Sequence, residues 1–433
     1  MSSFTTEVYQ NEYLPLDGSE VNAIVTISSS GQAGVGGEAA AAAAGQPDAA
    51  EIVIVDTSGS MDVPRAKINA AREATAVAID CIRDGVAFGV IAGTARAHQV
   101  YPGNGQLVPA SEATRYEAKQ AVSRLSANGG TAIGSWLTLA RELFDVVPGR
   151  VCHAILLTDG ENRNERPEEL DAVLAECDGR FQCDCRGVGT DWVVSELRRV
   201  ASQLLGSLDI IADPANMAAD FRSMIETAMG KATQPVSLRV WAPQGATVAF
   251  VRQVAPTIEE LTDRAVAVNP LTSDYPTGTW GEESRDYHVS IKVPAHDAGD
   301  EMLAGRVSLV EGDEVLGQGL IKAIWTGDQA LSTRINREVA HYTGQAELAD
   351  AIQDGLEARK SGDEATATFK LGRAVQLASE SGNERTMKLL RAVVDVDDPA
   401  TGTVRLKRDV DDADEMALDT RSTKTVRVGS PQP

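Results

Sequence analysis

The sequence predicts an α/β protein with a doubly wound, mostly parallel sheet, joined to a β-sandwich and a small C-terminal helical segment. Three changes of pattern predict this fold. Over residues 51–231, apolar runs of strand length alternate with stretches of helical periodicity, as in the crossover units of a parallel sheet. Residues 232–326 alternate apolar and polar positions, which is typical of antiparallel strands in a sandwich. Residues 330–395 return to helical spacing, with breaks at Gly362 and Gly382.

The two ends of the chain have different patterns. Residues 1–30 contain a strand-like run from Val21 to Ile27 that has no partner nearby in the sequence. We hypothesise that this strand pairs with the sandwich, so that the α/β domain is inserted into a β domain. Residues 31–50 are rich in Gly and Ala, which predicts a flexible linker. Residues 396–433, which include the acidic run from Asp409 to Glu415, are expected to be disordered because they contain few apolar side chains.

The elements of the α/β domain follow in a regular order. Ile52 to Val55 is a continuous apolar run, as expected for a strand that is buried on both faces. Pro64 suits the first turn of the helix that follows. The other predicted strands are residues 86–91, 151–157, 181–188 and 208–211, and helical spacing extends over residues 68–82, 116–125, 135–143, 167–175, 193–205 and 216–229. This order places helices on both faces of the sheet.

The charge of the chain restricts its expected partners. Its 433 residues carry a formal net charge of −23. Such a field repels phosphate backbones and anionic lipid headgroups, so neither nucleic acid nor a membrane surface is an expected partner. The chain has no run of about 18 apolar residues, no signal-peptide pattern at its start, and five cysteines, too few and too odd in number for a disulfide framework. We therefore expect a cytoplasmic protein.

Oxygen-bearing side chains follow two of the predicted strands. Asp56 ends the first strand, and Ser58 and Ser60 come two and four residues later; Asp159 follows another apolar strand, and Thr131 ends the glycine-rich loop before a helix. Ligands of an open α/β sheet bind at the carboxyl ends of the strands, so these side chains are expected to converge there. Such hard oxygen ligands suit Mg²⁺, with Mn²⁺ or, less strictly, Ca²⁺ as alternatives.

This pattern, Asp-x-Ser-x-Ser followed by a distant Thr and a distant Asp, resembles the metal-ion-dependent adhesion site of the von Willebrand factor A (VWA) family. The resemblance covers about residues 50–230, and the stretch from Gly187 to Asp191 is also similar to a strand end of that family. It implies a member of the bacterial intracellular type, with a VWA fold over residues 51–231.

The resemblance also implies roles for the five residues. Ser58, Ser60 and Thr131 would bind Mg²⁺ directly, whereas Asp56 and Asp159 would act largely through ordered waters. A Glu or Asp carboxylate of a partner protein would fill the sixth position of the ion. The expected function is thus metal-dependent protein binding without catalysis, as a cytoplasmic scaffold or as a partner in signalling or assembly.

Two other interpretations of the same residues stay open. One is a structural scaffold whose metal site is built but idle, and the other is a metal-dependent hydrolase, in which metal and carboxylates activate water. The hydrolase is disfavoured because no evident base accompanies the hydroxyls: His153 is expected to pack within a strand, and His98 is isolated.

Two further groups of residues invite a function. Cys177, Cys183 and Cys185, with Cys152 on another strand, do not have the spacing of a zinc site, so buried thiols are the preferred interpretation over zinc or a redox pair. In the predicted tail, hydroxyls that a kinase would modify stand among basic residues, and a phosphopeptide-binding domain would recognise them. These hydroxyl residues are Thr420, Ser422, Thr423 and Thr425.

Overall fold

The computed structural model describes residues 3–30, 49–231 and 233–427, which belong to two compact units. One unit combines residues 1–35 with residues 235–433, and the other comprises residues 36–234. The chain therefore begins the first unit, completes the second, and then returns to the first. Apart from its last two residues, the predicted linker lies outside the described residues.

The N-terminal residues form strands that belong to the first unit. Strands β1 (Ser3–Gln10), β2 (Tyr13–Leu14) and β3 (Glu20–Ser30) come before the α/β unit in the sequence. β1 pairs with β3 in an antiparallel register that places Val8 opposite Val25. The apolar run that the sequence singled out, Val21 to Ile27, lies within β3.

The second unit is the doubly wound α/β domain. Its strands are β4 (Ala49–Asp56), β5 (Ala87–Gly93), β6 (His98–Tyr101), β7 (Val108–Pro109), β8 (Val151–Thr158), β9 (Gln182–Val188) and β10 (Leu208–Ile211). Its helices are α1 (Ala66–Cys81), α2 (Glu112–Val122), α3 (Ile133–Asp145), α4 (Pro167–Cys177), α5 (Val194–Gln203) and α6 (Met217–Met229). The strand order is β10-β9-β8-β4-β5-β6, and the first five strands of this order run parallel.

The core of this domain lies on both faces of the central strands. From Ala50 to Asp56 every residue of β4 is buried. On one face, Val53 and Val55 share an apolar cluster with α1, α2 and α6. On the other face, Trp136 of α3 packs directly onto the backbone at Gly93 of β5. The continuous apolar run that predicted a doubly covered strand thus has its physical cause in helices on either side.

Two short strands of this domain were not predicted. β6 and β7 both pair antiparallel with β5, β6 at the edge of the sheet. They are four and two residues long, which is too short for an alternating pattern to stand out from the surrounding loop.

The first unit contains two large sheets. The strands after the α/β domain are β11 (Val236–Trp241), β12 (Thr247–Ala255), β13 (Glu259–Glu260), β14 (Val266–Asn269), β15 (Thr272–Gly278), β16 (Ser284–Lys292), β17 (Glu301–Glu311) and β18 (Glu314–Trp325). One sheet has the order β1-β3-β16-β12-β13, and the other has the order β14-β15-β11-β17-β18-β2. Their strands pair antiparallel except for the short parallel pairing of β2 with β18. The strand expected to join the sandwich, β3, pairs antiparallel with β16.

Glycines allow the two sheets to approach closely. A Cβ at Gly305 of β17 would lie 2.3 Å from the side chain of Ile291 on β16. At Gly317 and Gly319 of β18, a Cβ would meet Thr6 and Val8 of β1 at 2.6 and 2.4 Å. The two faces therefore interdigitate at these glycines, as in a sandwich.

Helices complete the first unit. They are α7 (Gln329–Ser332), α8 (Arg337–Lys360), α9 (Glu364–Glu380), α10 (Glu384–Val393) and α11 (Asp412–Arg421), with a hairpin of β19 (Val394–Asp398) and β20 (Thr403–Leu406) before α11. Gly362 and Gly382, where the sequence predicted breaks, follow α8 and α9 at positive φ, the conformation that ends many helices. No helix among the described residues is long and apolar enough to cross a bilayer.

The prediction of disorder for residues 396–433 is wrong as far as Arg427. This segment contributes part of β19, all of β20 and α11. Two of its apolar side chains, Val404 and Leu418, are buried in one cluster with Leu371 and Leu390, and Val396, Leu406 and Val410 pack against that cluster. Local composition underestimated the burial because the covering surface comes from the helices that precede this segment, which its own residues do not reveal. Residues 428–433 lie outside the described residues.

Two of the tail hydroxyls that were expected to be exposed are buried. Thr420 and Ser422 are 2% and 5% exposed, so a kinase cannot reach them in the folded protein. The hydroxyl of Thr425 donates a hydrogen bond to the carbonyl of Val254. This part of the chain is packed onto the unit rather than extended in solvent.

Candidate metal centre

The predicted site lies where two neighbouring parallel strands end. Asp56 is the last residue of β4, and Asp159 follows the last residue of β8. The chain proceeds from β4 to β5 on one side, whereas β8, β9 and β10 extend on the other side. The gap between β4 and β8 is therefore the switch point of the sheet, where open α/β sheets bind ligands.

The turn after β4 brings its hydroxyls to the carboxylates. The backbone N–H of Ser58 donates to Asp56 Oδ1 at 2.7 Å, which folds the chain back over the strand end. A 3-10 turn from Gly59 to Asp62 follows. The hydroxyls of Ser58 and Ser60 are 2.9 Å apart, and Ser60 Oγ donates to Asp159 Oδ1 at 2.6 Å. Four of the five predicted residues thus form one connected group.

The fifth residue, Thr131, joins this group through the loop before α3. A Cβ placed on Gly160 would lie 3.3 Å from Ser60 Oγ and 3.5 Å from Thr131 Oγ1. Both hydroxyls therefore flank the backbone just after Asp159. All five residues that the sequence singled out are brought to one edge of the sheet.

A second loop fixes the position of Thr131. Asn164 accepts a hydrogen bond from the Thr131 N–H through its side chain at 2.8 Å, and its own N–H donates to the Thr131 carbonyl at 2.9 Å. Asn162 accepts from the N–H of Ile133 at 2.9 Å, and Glu165 accepts from that of Gly134 at 2.8 Å. These are the first N–H groups of α3, which have no partners within the helix. The loop that follows Asp159 therefore caps α3 and holds Thr131.

Sequence reasoning did not identify Asn162, Asn164 and Glu165, which hold the loop before α3. It also did not identify Lys67 and Asp191 as neighbours of the centre. Lys67 of α1 donates to Asp159 Oδ2 at 2.8 Å and to Asp191 at 3.2 Å. Burial acts to lower the pKa of Lys67, but its contacts with Asp159 and Asp191 outweigh burial and raise that pKa above its usual value. Thr158 donates to Asp56 Oδ2 at 2.5 Å. Only Asp191 carried a sequence signal, because it ends a stretch that resembles the family.

The chemistry of these side chains fits a hard divalent cation. Asp56 is fully buried, and burial raises its pKa to about 6, against hydrogen bonds with Ser58 and Thr158 that act to lower it. A buried carboxylate of this kind gains stability when a cation is placed beside it. Three hydroxyls and two carboxylates supply oxygen alone, which suits Mg²⁺ rather than soft metals.

The three hydroxyl-bearing residues line a cleft of about 380 Å³. Ser58, Ser60 and Thr131 lie among its walls, and Arg163 and Asp191 also line it. Arg163 is exposed and pairs with Glu161 at 2.6 Å. A ligand that enters from solvent therefore reaches the hydroxyls past charged side chains.

The histidines and cysteines stand apart from this cleft. His153 lies between Glu51 (2.9 Å) and Asp184 (3.1 Å), as a packed and paired strand residue. His98 is exposed at the start of β6. Cys177, Cys183 and Cys185 are buried, and all five cysteines are free. Within the described ranges, no group of three or more His, Cys, Asp or Glu side chains is arranged to hold a metal; the candidate centre draws three of its five groups from hydroxyls.

The doubly wound sheet, with hydroxyls and carboxylates at its switch point, defines the class of this domain. It is an α/β domain with an oxygen-lined cleft. Residues 50–210 match the family model described as von Willebrand factor type A domain, and residues 376–422 match the one described as von Willebrand factor type A C-terminal domain. A solved structure from Catenulispora acidiphila, described as von Willebrand factor type A, is 50% identical, covers 99% of this chain and 98% of its own, and superposes with a TM-score of 0.93. The chain belongs to the von Willebrand factor type A family.

More distant relatives share part of this similarity. The ArnB paralog VWA2 from Sulfolobus acidocaldarius covers 98% of both chains at 15% identity with a TM-score of 0.56, which supports the fold alone. An uncharacterized protein of Synechocystis is 31% identical over 220 residues. The von Willebrand factor A domain-containing protein 5A of Rattus norvegicus is 26% identical over 217 residues. The chain spans 49% of the length of the Synechocystis protein and 25% of that of the rat protein.

Proposed function

We propose that this protein is a metal-dependent protein-binding module without catalytic activity. A divalent cation, Mg²⁺ by preference, binds in the cleft, and a Glu or Asp carboxylate of a partner protein completes its coordination. The observation that carries the proposal is the convergence of five oxygen-bearing side chains, from three distant parts of the chain, at the switch point of the sheet.

The residues divide into two roles in this proposal. Ser58, Ser60 and Thr131 hold the ion through their hydroxyls, which are uncharged and leave its positive charge in place. Asp56 holds the Ser58 backbone and Asp159 holds the Ser60 hydroxyl, as their hydrogen bonds support, and both carboxylates neutralise part of the charge from behind. When bound, the cation supplies an electrophilic position that a carboxylate fills.

A carboxylate partner fits the surroundings of the site. The cleft opens to solvent beside Arg163, whose exposed guanidinium pairs with Glu161 through Nε and keeps its two other nitrogens for an approaching anion. The net charge of −23 opposes an acidic partner at long range. The bound cation is therefore needed to make the local electrostatic potential positive, and binding of the partner protein is expected to depend on that cation. We further propose that this binding takes place in the cytoplasm, where free cysteines such as these stay reduced.

The first test is cation binding by the isolated protein. Isothermal titration with Mg²⁺ and Mn²⁺ is expected to show one site in the wild-type protein. Asp56→Ala and Ser58→Ala should each weaken binding by about tenfold or more, since ligand and anchoring groups typically contribute that much. The matched control is Ser223→Ala, which removes an exposed hydroxyl from α6 and should leave binding unchanged.

The second test is metal-dependent capture. Immobilised wild-type protein is incubated with lysate of the source cells in Mg²⁺ or in EDTA, beside the Ser58→Ala and Ser223→Ala variants. The proposal predicts proteins that bind in Mg²⁺ to wild type and Ser223→Ala alone, and whose binding is lost when their surface carboxylates are mutated. Capture that EDTA does not affect would favour the idle scaffold. Metal-dependent turnover of model esters or phosphoesters would favour a hydrolase.

A further inference from the structure

A buried lysine stands directly behind the candidate centre. Lys67 is only 7% exposed in its side chain, and its Nζ lies 2.8 Å from Asp159 Oδ2. The other oxygen of the same carboxylate, Oδ1, accepts from Ser60. Asp159 is therefore held at both oxygens, one by a cation of the chain itself and the other by a hydroxyl of the centre.

We propose that Lys67 is a positioning residue that sets the charge of the metal centre. By occupying Oδ2, it leaves Asp159 only Oδ1, the oxygen that accepts from Ser60, to face the centre. By carrying a positive charge at the same place, it offsets one of the two carboxylates. The centre thus binds its divalent cation less tightly but leaves that cation more positive.

The second partner of Lys67 does not cancel this charge. Asp191 lies 3.2 Å from Nζ, but its side chain is 69% exposed, so water screens it strongly. Asp159 is fully buried, and an interaction in such surroundings is screened much less. The charge of Lys67 therefore acts mainly on the buried side, towards Asp159 and the cleft.

The inference rests on the proposed function for its consequence. A cation that keeps more of its charge attracts a negatively charged ligand more strongly, so Lys67 would favour a carboxylate from a partner over a water molecule at the open position. The pair of carboxylates alone would neutralise a divalent ion. With Lys67 included, the centre keeps a net positive charge and selects an anionic ligand.

The test uses Mn²⁺ alone and three substitutions of one residue. Lys67→Arg keeps the charge, Lys67→Gln keeps an N–H donor without charge, and Lys67→Met keeps neither. Isothermal titration is expected to show about wild-type affinity for Lys67→Arg and affinity at least tenfold higher for both Lys67→Gln and Lys67→Met. Lys67→Gln retains a partner for Asp159, so it guards against loss of fold in Lys67→Met, which thermal melting checks.

The alternative outcomes separate the inference from the function on which it rests. If Lys67 only supports the structure, Lys67→Gln will bind Mn²⁺ as the wild type does or more weakly, and the inference is overturned while the proposed function stands. If the wild-type protein binds no divalent cation, both are overturned.

A second measurement examines the open position directly. Water bound to protein-held Mn²⁺ enhances proton relaxation, and acetate that replaces this water reduces the enhancement. Acetate is expected to act on the Mn²⁺-loaded wild type and Lys67→Arg at severalfold lower concentration than on Lys67→Gln. Equal acetate dependence in all three proteins would contradict a role of Lys67 in selecting the anion.

Discussion

At the scale of single residues, the candidate centre depends on the missing side chain of Gly160 as well as on its five oxygen-bearing side chains. Gly160 lies between the hydroxyls of Ser60 and Thr131, and its lack of a side chain leaves the space in front of them open. Its φ is not in the left-handed region, so an alanine there meets no backbone strain. A substitution at Gly160 can therefore change the space in the cleft without changing the stability of the fold.

Gly160→Ala should block the cleft without unfolding the domain. The added methyl group would lie 3.3 Å from Ser60 Oγ and 3.5 Å from Thr131 Oγ1, within the space that a shared ligand needs. We expect cation affinity to fall at least about tenfold, or about 1.4 kcal/mol, as measured by Mn²⁺ titration. Gly344→Ala, on an open face of α8, is the matched control. An unchanged affinity in Gly160→Ala would show that the ion does not bind between these hydroxyls.

A second residue-scale prediction concerns the buried ion pairs at the opposite end of the strands. Burial acts to lower the pKa of His153, but the charge of Glu51 and the hydrogen bonds with Asp184 and Glu51 raise it to about 10. A raised pKa contributes stability that is complete below the ordinary value of 6.5 and is lost as pH rises towards 10. His153→Gln should therefore cost about 3 kcal/mol at pH 6 and much less at pH 10.

The measurement is urea denaturation at pH 6, 8 and 10. His288→Gln is the matched control, because burial lowers the pKa of His288 to about 4 and keeps it uncharged over this range. Its cost should not change with pH. A constant cost for His153→Gln as well would mean that His153 is neutral in the folded protein.

At the scale of elements, helix α3 and the loop after β8 are joined by hydrogen bonds. The loop caps the helix through Asn162 and Glu165 and holds the preceding loop through Asn164. The chain that follows Asp159 is thus tied to Thr131 by hydrogen bonds. Asp159 and Thr131, which are 28 residues apart in sequence, are expected to keep a fixed separation for this reason.

Asn164→Ala should loosen this connection. It removes the acceptor of the Thr131 N–H, and we expect cation affinity to fall about tenfold, as is common when a group that orients a ligand is lost. Hydrogen exchange should quicken over residues 129–134. Ser223→Ala, which lies outside the cleft, is expected to leave both measurements unchanged. Unchanged affinity and exchange in Asn164→Ala would contradict a role of Asn164 in holding Thr131.

The elements also show what the sequence allows one to predict. The central strands and the five oxygen-bearing residues were predictable because a doubly buried strand is continuously apolar and its functional residues come directly after it. Lys67 was not, because its partners lie 92 and 124 residues away and its own helix gives no hint of them. The C-terminal hairpin and α11 were missed for a related reason, since their apolar side chains are covered by other elements, the preceding helices α9 and α10.

At the scale of the whole molecule, the N-terminal strands belong to a unit whose other strands come after the α/β domain. β1 covers β18 at Gly317 and Gly319 and also pairs with β3. The sandwich therefore needs the first residues of the chain, whereas every strand of the α/β sheet comes from residues 49–211.

Deletion of residues 1–10 should destabilise the sandwich and spare the candidate centre. It uncovers the glycines of β18 and leaves β3 as an unprotected edge. Calorimetry is expected to show a lower melting temperature for one transition, with Mn²⁺ affinity equal to that of the full chain. A loss of Mn²⁺ binding in a deletion variant that still melts cooperatively would contradict the expectation that the centre binds its cation without residues 1–10.

The pairing of β3 with β16 has a consequence for synthesis on the ribosome. Ser28 and Ser284, whose hydroxyls meet across these strands, are 256 residues apart. At about 5 to 20 residues per second, β3 waits roughly 10 to 50 seconds for its neighbour to emerge. During that interval the α/β domain is complete and free to fold, while the hairpin of β1 and β3 presents an open edge to the cell. The order of translation thus favours an early cation-binding domain, and it leaves the nascent N-terminal hairpin as the part that most needs a chaperone.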